Sequence, residues 1–575
     1  MPTEKETILI TAALPYINNV PHLGHIVGSH LPADIFYRFC RAKGHDVTFI
    51  GGSDEHGTPS VIAAQELGIP VKQLTDRLHA IHKNVYKKLN ISYTNYSRTS
   101  KSIHHEVTKD FFKVIDAKGV YLHREELKMY FCQRDSLFLP DRFVIGTCPT
   151  CGYTSAYADQ CETCSTVINP GELIDARCRI CGEIPTYKLS PHLFLDLEKL
   201  SKKIDAWVES KKGIWNNHVY SIAKKWIDDG LKPRSITRDL TWGVSVPVPE
   251  FKNKVFYVWF DAPIGYITFT KELGNQYYER YWKNTKSKIF HFLGKDNIPF
   301  HTIFWPGMLI AHGGYSMPYK IVGFHYLNYE GKKFSKSKGV GVFCYNILNS
   351  DINIDTLRAY LTSVIPETKD SLFQWNEYRL HTNSEVIGKI GNFFNRTLNV
   401  IWNNFNGSLG IDAEQLTNND ELDRNLISSI KTTPEEIGKL LFKTEFRAAY
   451  QKMLDYAREG NVYLDRKEPW SLVKKGDLES AKKVLYITLN LAKSLAIVLS
   501  PIMPTGMQEL WNNQLNFSGS LDTPEIWEKA SKMDISKGHR IHKPKPLYEK
   551  IEIEKLEEIK KELTKPYNLN DLVKE

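Results

Sequence analysis

The sequence lacks any apolar run long enough to cross a bilayer. Its longest candidate, Leu489–Pro504 (LNLAKSLAIVLSPIMP), falls short of the ~20 residues a spanning helix needs and carries Lys493. No secretory leader is expected either, because Met1–Glu6 (MPTEKE) is charged and runs straight into a strand pattern, so a cytoplasmic protein with no membrane partner is expected. No internal repeat or low-complexity block is apparent apart from a charged tail. Nor is there a large charge excess: 75 Lys and Arg against 66 Asp and Glu leave +9, which permits a polyanionic partner without demonstrating one. With 42% hydrophobic and 25% charged residues, the composition excludes a disordered or collagen-like chain. At about 150 residues per domain, 575 residues suggest roughly four domains.

Thr7–Ala13 (TILITAA) reads as a buried strand that breaks at Leu14-Pro15-Tyr16. Gly24 to Lys43 carries apolar residues at helical spacing and stops at Gly44, and Val47–Ile50 (VTFI) is a second buried strand. Strand, loop, helix and strand in this order make a βαβ unit and imply a parallel sheet. From Tyr121 to about Ser190 the chain is rich in Cys, Gly and Pro, without long periodic runs, as in a metal-stapled insertion. Strand patterns return at Lys254–Phe260 (KVFYVWF) and Lys288–Leu293 (KIFHFL), the expected second half of an interrupted sheet. Helical periodicity dominates from about Glu385 to Leu499, and residues 549–565 form a mixed-charge helix expected to fold back on the body.

Nine cysteines are present, and six fall into C-x-x-C pairs: Cys148/Cys151, Cys161/Cys164 and Cys178/Cys181. In a cytosolic chain such pairs read as zinc knuckles before disulfides. Cys148, Cys151, Cys161 and Cys164 have the spacing of a closed four-thiolate zinc site. Cys178 and Cys181 then lack partners, while upstream Cys132 and Asp135 repeat the i, i+3 spacing with a carboxylate in place of a thiolate. Cys40 and Cys344 stand among apolar neighbours and read as core.

His22-Leu23-Gly24-His25 sits between the first strand and its helix. A helix N-terminus offers free N–H groups, Gly24 admits a close approach, and two imidazoles can donate to phosphate oxygens. Alone, the motif fits two capping histidines equally well. Far away, Lys332–Gly339 (KKFSKSKG) is a basic, glycine-flanked loop suited to a departing pyrophosphate, or by itself a solvated turn. Together the two motifs resemble the signature of class I aminoacyl-tRNA synthetases. The resemblance narrows to the methionyl-tRNA synthetase family through Ala12–His25 (AALPYINNVPHLGH), Gly52–Pro59 (GSDEHGTP), Phe138–Phe143 (FLPDRF), Val258–Tyr266 (VWFDAPIGY), Gly294–Pro306 (GKDNIPFHTIFWP) and Lys333–Ser337 (KFSKS).

This resemblance implies a split Rossmann-type α/β catalytic domain with a zinc-knuckle insertion and a C-terminal α-helical bundle. Residues 1–119 and 236–328 would form the two Rossmann halves, 120–235 the insertion, and 329–380 the stem-contact region with the KFSKS loop. Residues 381–540 would form the anticodon-binding bundle and 541–575 an extension packing back. It also implies ATP-dependent activation of L-methionine, with Mg2+ accompanying ATP, and transfer to tRNA(Met). His22, Gly24, His25, Lys295, Lys333 and Lys336 match ATP-handling positions, with His22, His25, Lys333 and Lys336 as the catalytic set. Phe334 stands where the family usually has Met, a conservative apolar change. Leu14, Tyr16, Trp259, Ala262, Pro263, Tyr266, His301 and Trp305 match the methionine pocket, whose aromatic rings suit a thioether, and Asp54 matches the carboxylate that holds the ammonium.

Discrimination against homocysteine cannot rest on one missing methyl, worth only ~1–3 kcal/mol. The family cyclises homocysteinyl-adenylate in the synthetic site, and no separate editing insertion is visible. Two-zinc relatives carry a metal-binding pair at Cys132 and Asp135, which points to a second Zn2+ held by Cys132, Asp135, Cys178 and Cys181; otherwise Asp135 is a surface carboxylate. Asn392, Arg396 and Trp470 match anticodon contacts, unless they serve packing alone, and Gly388 departs from an Asn seen in some relatives. The appended C-terminal module of many relatives is not seen, so a monomer is expected.

Overall fold

A computed structural model describes residues 5–574 apart from 159, 160, 162, 165, 167, 169, 170, 332–340 and 418. Five strands form a parallel sheet: β1 (Thr7–Ala12), β2 (Asp46–Ser53), β3 (Asn95–Arg98), β4 (Lys288–Gly294) and β5 (Lys320–Phe324). Their order is β5-β4-β1-β2-β3, with Ile8 opposite both Val47 and Lys288. Alternate residues feed different cores. Ile8, Ile10, Phe49, Phe290 and Phe292 face one side, and Leu9, Ile50, Ile289 and Leu293 face the other. A strand buried on both faces reads as a continuous apolar run, which is why TILITAA and VTFI stand out in the sequence.

The crossover from β1 to β2 is helical from Leu23 through Ala42, as expected, with a π-type turn at Ile26–His30. It stops at Gly44, whose φ of +85° is left-handed, with Gly44 N–H donating to Arg41 C=O at 2.9 Å and His45 N–H to Cys40 C=O at 3.1 Å.

Two expectations need correction. Lys254–Phe260 is not a strand of the sheet: Val255–Phe256 pairs briefly with Thr237–Arg238, and the chain then turns into a helical segment at Val258–Asp261. Phe256, at the end of the short strand, and Phe260, in the helical segment, are buried with ring centroids 4.8 Å apart, so tertiary packing prevails over the β propensity of the run. The insertion also contains a long antiparallel ribbon, Leu122–Cys132 against Thr186–Leu195. Much of this ribbon is exposed, so it carries no apolar run to mark it.

The C-terminal part is helical, with Asn392–Phe405, Glu421–Phe442 and Phe446–Lys467 around Leu478–Leu499. Every residue from Val484 to Leu499 is buried, so the apolar run is the hub of the bundle. Its Lys493 donates to Lys532 C=O at 2.6 Å and pairs with Asp534. No helix among the described residues is long and apolar enough to cross a membrane. The core of the bundle is continuous with that of one sheet face. Arg358, 1% exposed, joins them: it donates to Asp34 Oδ2 at 2.7 Å and to the carbonyls of Leu89, Pro501 and Ile502 at 2.8–3.0 Å. The tail returns toward β1. Its helix Ile553–Leu563 buries Leu556, Ile559 and Leu563, and Tyr567 O–H reaches Asn19 Oδ1 at 2.5 Å.

Candidate active site and metal centres

The candidate site lies at the carboxyl ends of β1, β2 and β4, where the strand order reverses and an open α/β sheet leaves a crevice. His22 caps the crossover helix through its side chain: Gly24 N–H donates to His22 Nδ1 at 3.0 Å, and His22 N–H donates to His25 Nδ1 at 3.2 Å. The rings lie 3.8 Å apart. Because both Nδ1 atoms accept, each neutral ring carries its proton on Nε2. The helix-end N–H groups expected to face a phosphate are therefore engaged. Leu23 N–H is taken as well, by Val342 C=O at 3.2 Å. Capping and phosphate donation do not compete, since they use opposite nitrogens of each ring. Lys295, directly after β4, pairs with Asp370 at 3.0 Å and lies over the Tyr326 ring. Lys333 and Lys336 lie outside the described residues.

The expected pocket residues converge beside this corner. Asp54 follows β2 and is 5% exposed, with Oδ1 lacking a hydrogen-bond partner. Burial, reinforced by the nearby charges of Asp261 and Glu55, holds its carboxyl well above the usual range. Tyr266, His301 and Trp305 are 2%, 2% and 0% exposed and form the deep wall. Tyr16 and Trp259, at 39% and 37%, stand at the mouth. Ala262 and Pro263 are buried at the start of helix Ile264–Lys271. Leu14 packs against Gly265, where a Cβ would sit 3.1 Å from its Cδ1.

His301 Nδ1–H donates to Asn297 C=O at 3.0 Å, so Nε2 accepts from Tyr266 O–H at 2.9 Å. Burial lowers this imidazole to about 4, so it is neutral at pH 7. Sequence reasoning missed three groups behind the pocket. His291 of β4 bonds Thr11 at 2.5 Å with its ring 4.8 Å from that of Tyr266, but it hides in an apolar strand. Glu55 pairs with Arg98 at 2.7 Å, and His56 with Asp261 at 2.6 Å. His56 and Asp261 stood inside the quoted motifs, but nothing in the sequence pairs them.

Three groups of possible metal ligands converge among the described residues: two built on cysteine, and His56, His104 and Asp261 behind the pocket. Cys148, Cys151, Cys161 and Cys164 place all four Sγ atoms within 4.8 Å of one another, with Cys148–Cys164 at 3.8 Å and Cys151–Cys161 at 3.6 Å. Four thiolates ~2.3 Å from a tetrahedral zinc lie about 3.8 Å apart, so this donor set fits Zn2+. Cys132, Asp135, Cys178 and Cys181 also converge within 4.8 Å, with Cys132–Cys181 at 3.4 Å and Cys132–Asp135 at 3.1 Å. The same turn builds each C-x-x-C-G knuckle: Gly152 and Gly182, at φ +72° and +78°, donate back to Cys148 and Cys178 C=O. The Cys181 thiol proton is hydrogen-bonded to Asp135, which holds the carboxyl below its usual range and pushes the thiol up to about 12. A divalent cation would displace that proton.

On the bundle, Asn392 and Arg396 share a helix face. Asn392 donates to Asn461 at 3.1 Å, and Arg396 pairs with Asp465 at 2.5 Å while lying 4.9 Å over the Trp470 ring. The three expected residues thus meet in one polar and aromatic patch. Asn461 and Asp465, also four apart, were missed, although their spacing repeats that of Asn392 and Arg396.

Comparison with known proteins agrees with the family and the fold read above. A family model described as tRNA synthetases class I (M) matches residues 8–398, and one for the anticodon binding domain of methionyl tRNA ligase matches residues 415–565. The methionine–tRNA ligase of Sulfolobus acidocaldarius is 40% identical over 97% of this chain and 98% of that protein. That of Pyrococcus furiosus is 39% identical over 94% and 75%. The fold resembles that of Mycobacterium tuberculosis methionyl-tRNA synthetase in complex with methionyl-adenylate, with a TM-score of 0.78 at 23% identity over 94% of this chain and 99% of the other. The chain belongs to the methionyl-tRNA ligase family of class I tRNA synthetases.

Proposed function

We infer that this chain is a methionine–tRNA ligase that forms methionyl-adenylate from L-methionine and ATP and passes the methionyl group to the terminal adenosine of tRNA(Met). The observation that carries this reading is the Asp54 carboxylate, with its Oδ1 unpartnered, beside the buried Tyr266–His301–Trp305 wall and next to the His22–His25 corner. A zwitterionic amino acid with an apolar side chain matches that combination: Asp54 takes the ammonium, and the aromatic wall takes the thioether.

The substrate carboxylate is thereby left free to attack the α-phosphorus. The chemistry needs positioning and charge neutralisation more than covalent help. His22 and His25 donate Nε2–H to the phosphates, and Gly24 keeps their approach open. Lys333 and Lys336 answer the charge on the departing pyrophosphate, with Lys295 exchanging Asp370 for phosphate. Mg2+ accompanies ATP and supplies further neutralisation. In this reading Cys148, Cys151, Cys161 and Cys164 hold one structural Zn2+, and Cys132, Asp135, Cys178 and Cys181 hold a second. The reduced thiols of both clusters suit a cytoplasmic setting. Asn392, Arg396 and Trp470 present hydrogen-bonding edges and a stacking ring to the anticodon.

Methionine-dependent ATP–pyrophosphate exchange, followed by charging of tRNA with methionine, tests this reading. Exchange with another amino acid in place of methionine would overturn it.

A further inference from the structure

We propose that the buried His56–Asp261 pair is a positioning bridge that fixes the distance between the ammonium ligand Asp54 and the thioether wall. The proposal rests on the methionine-binding reading above. The two ends of the pocket belong to separate segments. Asp54 is locked to the loop after β1: its N–H donates to Pro15 C=O at 3.0 Å, and its C=O accepts from Ile17 N–H at 3.0 Å. Trp259, Ala262, Pro263 and Tyr266 come some two hundred residues later, on helices anchored by the fully buried Phe260, Ile264, Ile267 and Phe269. A ligand that must touch both ends reads the span between them, and this span is set by whatever joins the segments.

The His56–Asp261 link does so. His56 stands two residues after Asp54, Asp261 stands between Trp259 and Ala262, and the bond between them is 2.6 Å with both residues buried. At the adjacent Gly57, with φ +89°, a Cβ would lie 3.3 Å from Val258 Cβ, so the segments also touch closely there. The partners of the neighbouring carboxylates lead to the same conclusion. Three carboxylates cluster here, and two have side-chain partners: Glu55 pairs with Arg98, and Asp261 is hydrogen-bonded to His56. Asp54 Oδ1 is left for the substrate; Asp261 Oδ1 is likewise unpaired, but its Oδ2 is held by His56. The neighbouring His104 does not take the place of His56 opposite Asp261, because its ring nitrogens are engaged by Thr268 at 3.1 Å and Thr108 at 3.4 Å.

The test uses the full chain. In pyrophosphate exchange, Asp261→Ala should raise the KM for methionine at least 10-fold and move the KM for ATP less than twofold. Asp261→Asn, whose amide oxygen still accepts from His56, should return the methionine KM to within threefold of the unaltered chain. The desamino analogue 4-(methylthio)butanoate touches the wall without Asp54, and its binding, followed by tryptophan fluorescence, should change less than twofold in Asp261→Ala. His56→Ala tests the link from its other end. If both alanine variants fail to fold, Asp261→Glu, which lengthens the link by a methylene, should give the methionine-specific KM rise. An unchanged methionine KM, a parallel loss for the desamino analogue, or Asp261→Asn as damaging as the alanine variant would each overturn the proposal. No methionine-dependent exchange by the unaltered chain would defeat the functional reading itself.

Discussion

Asp54 shows how much one buried oxygen can decide. In the free chain its carboxyl is held well above the ordinary carboxylate range, by burial first and then by Asp261 and Glu55. A substrate ammonium pairs only with the ionised form, so methionine binding releases a proton. The sign follows: below the raised pKa the carboxyl is protonated and binding is weak, and affinity rises as pH passes upward through it. The KM for methionine in pyrophosphate exchange should therefore fall with rising pH in the unaltered chain. Asp54→Asn should flatten this profile and raise the KM about 10- to 100-fold, the value of a charge-assisted hydrogen bond. A flat profile in the unaltered chain would remove Asp54 as the ammonium ligand. His22 and His25 illustrate a related point about legibility. The motif alone left capping and phosphate binding open, and the geometry accommodates both, because the choice of ring nitrogen is visible only in three dimensions.

At the level of elements, the zinc knuckles and the bundle crossing invite direct measurement. Metal analysis should find two zinc ions per chain, and Asp135→Ala should leave one, since three thiolates with a missing fourth donor no longer close a tetrahedron. A single zinc in the unaltered chain would reduce Cys132, Asp135, Cys178 and Cys181 to a thiol cluster. In the bundle, Gly460 of helix Phe446–Lys467 lies where a Cβ would come within 2.4 Å of Phe393 Cε2 and 2.6 Å of Leu491 Cδ2. Alanine would gain helix propensity but crowd two neighbours, and overpacking prevails. Gly460→Ala should lose about 1–2 kcal/mol of stability in urea unfolding. Elements were legible where burial leaves a pattern, as in TILITAA, VTFI and the bundle hub. They were not where it leaves none: the exposed ribbon Leu122–Cys132 is masked by charge, and KVFYVWF looks like one strand although the chain turns helical at Val258 and packs the Phe260 ring on Phe256. The His56–Asp261 link was beyond reach for another reason, since no local pattern connects residues 205 positions apart.

For the whole molecule, the sheet and the bundle share one core, and Arg358 ties them with its full set of buried bonds. Arg358→Met would strand three backbone carbonyls and weaken the hold on Asp34, which Arg38 alone would then pair. The expected cost is about 3–5 kcal/mol, with sheet and bundle unfolding at the same lowered denaturant midpoint. Two separate transitions would show that the shared core does not couple them. The strand order has a consequence for synthesis as well. β1 sits mid-sheet, but its partner β4 begins at Lys288, so Ile8 pairs with a residue that leaves the ribosome 280 positions later. At ~5–20 residues per second this interval lasts roughly 15–55 s. Throughout it one edge of TILITA has no neighbour, which makes the nascent N-terminal half a client for any chaperone that shelters unpaired strands.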